Sequence, residues 1–166
     1  KLVRKRLSQE TKMRIILLSL FFFSTFIART QSNETLTSLD KLVNEWHVSA
    51  ANANFQEYFN ATTNDFIFLG TAPGERWKKE EFQSFCKPYF DKGKAWDFKP
   101  SNRIWNFTAN GTVAYFDEDL DTWMESCRGS GICVLDANGE WKIAYYNLTV
   151  LIENEKIKEF IKLRKE

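Results

Sequence analysis

The chain holds one histidine, His47, and it follows Trp46 within a run of apolar residues at helical spacing. An imidazole titrates near neutral pH, so it is the side chain best suited to carry a proton in either direction. Two readings stand: a hydrogen-bonded core residue, or the acid/base group of a reaction. Farther along, Glu118 and Arg128 fall on consecutive strand-like runs and sit opposite each other if the loop between them is centred on Trp123. As a cross-strand ion pair they would fix register; as a charged pocket floor they would meet a ligand's carboxylate or carbonyl. A nearby guanidinium also lowers a carboxylate's pKa by about 1 to 3 units. That makes Glu118 a weak base at neutral pH and argues against it as a proton abstractor. Tyr145 and Asn147 on the next run either donate to a substrate carbonyl or bond to neighbours as ordinary polar residues.

Aromatic residues make up 16% of the chain, enough to line a cavity as well as fill a core. Trp46, Trp77, Trp105, Phe116, Trp141 and Tyr145 would wall a pocket for a small apolar or carbonyl-containing ligand. The candidate site is therefore His47 as catalytic group, with Trp46, Trp105, Phe116, Glu118, Arg128, Trp141, Tyr145 and Asn147 around the ligand. Trp96 and Trp105 have opposite parity, so on one unbroken strand only one of them faces inward. No CxxC or Cys/His cluster supports a metal site, and no cofactor is expected.

These side chains need elements to hold them. Leu36, Leu39, Leu42, Val43, Trp46 and Ala50 have helical spacing, with Thr37 and Asp40 as a capping box at the start. A short helix around Asn54 to Asn60, a strand at Asp65 to Leu69 and a turn at Gly70 to Gly74 follow. A helix from about Lys78 should be bent or shortened by Pro88. Four strands then run over Ala95 to Phe107, Thr112 to Met124, Cys127 to Leu135 and Glu140 to Leu151, before a last helix at Asn154 to Lys165. Asn110-Gly111 and Asn138-Gly139 are hairpin signals. Strand alternation puts Arg128, Ser130, Ile132 and Val134 on one face with Trp141, Ile143, Tyr145, Asn147 and Thr149. That face, together with Ala114, Phe116, Glu118 and Leu120, is assigned to the interior. The expected class is α+β, with helices on one side of an antiparallel sheet.

The front end reads as a leader. Met13 and Arg14 precede an apolar run, Ile15 to Ala28, of signal-peptide length and short of the roughly 20 residues that span a bilayer. Residues 1–32 are thus expected to be upstream sequence and a cleaved signal, with Met13 as the start. Residues 33–166 form one domain, secreted or periplasmic, with no stable membrane span. Removing residues 1–32 takes away seven basic residues and one acidic one, which leaves a net charge near −5. An acidic domain without a basic stripe is poorly suited to nucleic acid. Cys127 and Cys133 share a strand about 20 Å apart and cannot bridge, so free, largely buried thiols are expected.

The helix carrying Trp46-His47, the GTAPGERW turn, and the strands YFDEDLD, CRGSG and WKIAYYNLTVLIEN resemble the SnoaL-like branch of the nuclear transport factor 2-like superfamily, over residues 36 to 154. The resemblance implies a cystatin-like cone, in which a curved antiparallel sheet wraps around N-terminal helices and an internal cavity opens at one end. It also implies homodimers formed through the sheet's outer face. Many relatives carry an Asp after the Gly-Thr of the turn, where this chain has Ala72. Three functions follow from it: an exported small-molecule-binding domain, an isomerase, cyclase or dehydratase using His47, and a protein-association domain.

Overall fold

The computed structural model describes residues 33–165; the leader read at residues 1–32 lies outside them. The chain divides into two units, residues 1–38 and 39–166. In the first, residues 33–38 are helical and Thr37 Oγ1 donates to Asn33 O at 2.9 Å. Thr37 is therefore used inside a helical turn and does not cap a start. Among the described residues, no helix is long and apolar enough to cross a membrane.

The second unit opens with helix α1, residues 39–51. Leu39, Val43, Trp46 and Ala50 recur on one face and are all buried, as the 3.6-residue period requires. Helix α2, Phe55–Asn60, leads into strand β1, Thr62–Leu69. Lys79 ties these two together, its Nζ donating to Phe59 O at 2.8 Å and Thr62 O at 3.1 Å. After the turn at residues 70–75, a short strand β2, Arg76–Lys78, pairs back on β1; three residues were too few to announce themselves in the sequence. Helix α3, Lys79–Phe90, starts where the Lys78 N–H donates to Glu81 Oε2 at 2.8 Å, and buries Phe82, Cys86 and Phe90. It stops two residues after Pro88, so the proline falls in the last turn, where the N–H it lacks would have bonded the Ser84 carbonyl.

Strands β3 (Lys99–Phe107), β4 (Val113–Thr122), β5 (Glu125–Leu135) and β6 (Trp141–Val150) complete a six-stranded sheet in the order β2-β1-β6-β5-β4-β3. The α+β class and the curved sheet agree with expectation; the sheet is not closed. The sheet is mixed, however, because β1 runs parallel to β6. A 3₁₀ turn, Asn154–Lys156, and helix α4, Ile157–Leu163, end the fold. The three cysteines are free and buried. Burial pushes the Cys133 thiol up to about 12 and raises Cys86 as well, so both are unreactive.

Register decides which side chains face the helices. On β4, Ala114, Phe116, Glu118 and Leu120 are buried, as expected. On β5 the buried residues are Cys127, Gly129, Gly131 and Cys133, the face opposite to the one expected. The β4–β5 turn has two residues, Trp123 and Met124, between paired Thr122 and Glu125. Glu118 therefore lies across from Gly129, and Arg128 lies across from Asp119. Centring the loop half a residue earlier had turned every β5 side chain over. Between β5 and β6, Arg128, Ser130 and Ile132 share a face with Tyr145, Asn147 and Thr149 as expected, with Ile132 opposite Tyr145, Ser130 opposite Asn147 and Arg128 opposite Thr149, but it is the outer face; Ile143, expected with them, pairs with Cys133 instead. A bulge at Ala144 breaks the alternation, so Ile143, Tyr146 and Leu148 turn inward.

Glycine on the inner face of β5 makes room for rings. A Cβ on Gly131 would lie 2.4 Å from Phe116 Cε1, and one on Gly129 would lie 2.1 Å from the Tyr146 hydroxyl. We expect Gly131→Ala to destabilise the domain by about 1–3 kcal/mol through overpacking, read as a lower urea midpoint with an unchanged slope. A midpoint equal to wild type would show that Phe116 can move aside.

Candidate functional site

Glu118, fully buried on β4, is the centre of a polar network. His47 Nε2 lies 2.8 Å from Glu118 Oε1, and the Tyr146 hydroxyl donates to the same oxygen at 2.8 Å. An ionised carboxylate only accepts, so Nε2 is the nitrogen that carries the proton. Arg103 Nε donates to Glu118 Oε2 at 2.8 Å. The rest of the guanidinium reaches α1, with Nη1 to Asp40 Oδ1 and Nη2 to Asn44 Oδ1, both at 2.9 Å. Trp105 Nε1 donates to Asp40 Oδ1 at 2.9 Å.

Local structure explains each placement. Asp40, Asn44 and His47 are spaced four and three residues apart, so they line one face of α1. On β3 a bulge sets Asn102 and Arg103 against Glu118, and Asn102 takes φ 51°, a left-handed value that asparagine tolerates. The two residues then part: Asn102 Nδ2 donates outward to Asp119 Oδ2 at 3.0 Å, and Arg103 turns inward, over the Phe116 ring. Asp40 is thus an acceptor for β3 and not part of a helix cap.

Burial alone would raise the Glu118 pKa. The hydrogen bond and charge of His47, the Arg103 charge and the Tyr146 hydroxyl outweigh it, and the carboxyl is held below the usual range. Burial first, then the Glu118 charge, push the Tyr146 phenol well up, so it remains a donor at any physiological pH.

The sequence-derived site residues fall into three places. His47, Trp46, Phe116 and Glu118 are buried together, with the Trp46 ring 5.2 Å from His47 and 4.7 Å from Tyr146. Trp105 packs on Phe116 at 4.5 Å. Trp141 is partly buried at the core's edge. Arg128, Tyr145 and Asn147 belong to the outer face, where Asn147 Nδ2 donates to Thr149 Oγ1 at 3.2 Å. The partner of Glu118 is Arg103, which parity with Trp105 on β3 could have revealed; Tyr146 was hidden by the bulge. Trp96 and Trp105 both face inward, because residues 95–98 precede β3 and are not strand.

A cleft of about 370 Å³ opens elsewhere, between α3 and the β4–β5 turn. Its floor is Phe68, Phe82 and Leu148; Trp77, Phe85 and Tyr89 form one wall, and Trp96, Phe98 and Trp123 the other. Trp77 alone among the sequence-named aromatic walls lines it. Phe68 stacks on Phe82 at 4.1 Å and lies 5.9 Å from Tyr146, so one aromatic layer stands between the cleft and the Glu118 network. Among the described residues no cluster is arranged to hold a metal ion.

Because the Glu118 carboxyl is held below its usual range, its stabilisation is present at neutral pH. It is lost as pH falls below the ordinary glutamate value, about 4.3, through the folded-state value. We expect Glu118→Gln to cost about 3 kcal/mol at pH 7 by leaving the Arg103 guanidinium without its buried counter-charge. Urea denaturation from pH 7 to 3 should also show a shallower acid loss in the variant. An acid limb as steep as wild type would assign that loss to other carboxylates.

The SnoaL-like domain family matches residues 39–153, while no curated protein matches the chain. Among solved structures, a nuclear transport factor 2-like protein of unknown function from Pseudomonas putida KT2440 superposes with TM-score 0.61 at 10% identity, covering 75% of this chain and 92% of that one. A protein from Parabacteroides distasonis, provisionally assigned as a ketosteroid isomerase, gives 0.55 at 13% identity over 68% and 85% of the two chains. A provisional calcium/calmodulin-dependent kinase II association domain from Exiguobacterium sibiricum gives 0.56 at 16% identity over 72% and 95%. At these identities the likeness is one of fold. The match over most of its length makes this chain a member of the SnoaL-like family, built on the nuclear transport factor 2-like fold.

Proposed function

We propose that the domain binds a small, largely apolar ligand in the cleft between α3 and the β4–β5 turn. The observation that carries this reading is the lining: eight of the fourteen residues around a space of about 370 Å³ are aromatic, and that volume suits a small organic molecule. The acid/base groups support binding over turnover. His47 and Glu118 are 5% and 0% exposed and bonded to each other, and an aromatic layer separates them from the cleft. A base must reach within about 3 Å of the proton it removes, which this arrangement denies to a ligand in the cleft.

The test is a fluorescence titration with the neutral probe N-phenyl-1-naphthylamine. Saturable enhancement is expected, and Phe85→Ala, which removes a half-exposed wall ring, should weaken binding about tenfold. Tyr115→Ser, on the outer face, should leave it unchanged. No saturable signal, or equal affinity in Phe85→Ala, would overturn the cleft as the ligand site.

A second surface supports self-association. Tyr115, Ile132, Tyr145 and Ile67 are paired in sequence across four strands, which lines them up as an apolar stripe on the outer face. Tyr115 is 48% and Ile132 37% exposed, and an exposed apolar stripe of this kind can meet its own copy in a two-fold contact. The expected state is a homodimer through this stripe. Sedimentation velocity at micromolar concentration should find a dimer for wild type and a folded monomer for Ile132→Asp; a wild-type monomer would remove the proposal.

A further inference from the structure

We infer that the ligand of the aromatic cleft is an organic cation, a protonated or quaternary amine on an apolar or aromatic body. The inference rests on the cleft being the ligand site. Among the described residues lining it, Glu75 is the only charged one; no lysine, arginine or histidine faces the space. Three of the rings are indoles, Trp77, Trp96 and Trp123, the side chain whose face attracts cations most strongly. Indole rings and a carboxylate each favour a positive charge over a negative one. An anionic ligand would meet repulsion there, and a neutral one would cover the carboxylate without supplying a counter-charge.

The position of Glu75 is built into the fold. The turn between β1 and β2 closes with the Gly70 N–H donating to Glu75 O at 2.9 Å. The side chain then folds back, and the Ala72 N–H donates to Oε2 at 2.9 Å. Only glycine at position 70 permits this, because a Cβ there would stand 2.3 Å from Glu75 Oε2. The GTAPGE segment therefore clamps a carboxylate at the edge of an aromatic cleft. That bond engages Oε2, and the second carboxylate oxygen is the one assigned to a ligand's positive charge.

An isosteric pair separates charge from shape. Isothermal titration at pH 6.5 would compare 4-hydroxy-N,N,N-trimethylanilinium with 4-tert-butylphenol, which differ in one atom and one charge. The cation should bind at least about tenfold more tightly, and in Glu75→Gln, which keeps an acceptor for the Ala72 N–H, the gap should fall below about threefold. Equal or reversed affinities would overturn the charge inference and leave the cleft as a ligand site, as would failure of both compounds while N-phenyl-1-naphthylamine still binds. A gap that persists in Glu75→Gln would also overturn it, since the carboxylate would then have no part in selection. Failure of all three compounds would overturn the proposed function itself.

Discussion

A carboxylate with no contact with water stands at the middle of this domain, and four elements are arranged around its charge. Desolvating an ion is costly by several kcal/mol even after relaxation, and Glu118 is 0% exposed. Its compensation comes from His47 on α1, Arg103 on β3 and Tyr146 on β6. Each donor lies on a different element from Glu118, so none can move independently without leaving buried charge unmatched. The bulge at Asn102 and Arg103, the bulge at Ala144 and Gly129 of β5 all serve this one requirement. They bring a guanidinium, a phenol and an imidazole to two oxygen atoms.

The same packing divides the interior into two parts with different chemistry. Around Glu118 the groups are polar, mutually bonded and enclosed. Beyond the Phe68 and Phe82 rings, stacked at 4.1 Å, the cleft is aromatic and open, with Glu75 at its edge. A saturated polar network gives rigidity and has little capacity left for a ligand. An aromatic cleft has the reverse character. Members of this fold carry descriptions ranging from isomerase to association domain, which is expected when a common scaffold hosts different sites.

Much of the scaffold was legible in the residues. The apolar period of α1, the aromatic face of α3, the hairpin signals and the alternation on β4 each rest on local geometry, where a few neighbouring side chains suffice. That Arg128, Ser130 and Ile132 share a face with Tyr145, Asn147 and Thr149 was legible too, whereas on the turn side of the Ala144 bulge the expected parity of Trp141 and Ile143 failed. The burial of Glu118 was read from its place between Phe116 and Leu120. The choice of face on β5 was not. Cys127, Gly129, Gly131 and Cys133 look like the poorer core side, and only the neighbouring Phe116 and Tyr146 rings explain why small residues are needed there.

By itself, then, the sequence determined the class of fold, the order of all its elements but the short β2 and the presence of a carboxylate and a histidine on apolar faces, since these follow from periodicity and turn chemistry along the chain. Tertiary structure alone decided the partners. A half-residue shift in one turn moved Arg128 to the outer face and left Arg103 as the counter-charge, and one bulge exchanged Tyr145 for Tyr146. It also decided where the open space lies, because a cleft is what remains after every ring has been packed. The physical reason is the two-residue period of a strand: a single inserted or omitted residue reverses every side chain beyond it, and nothing local in the sequence marks where that happens.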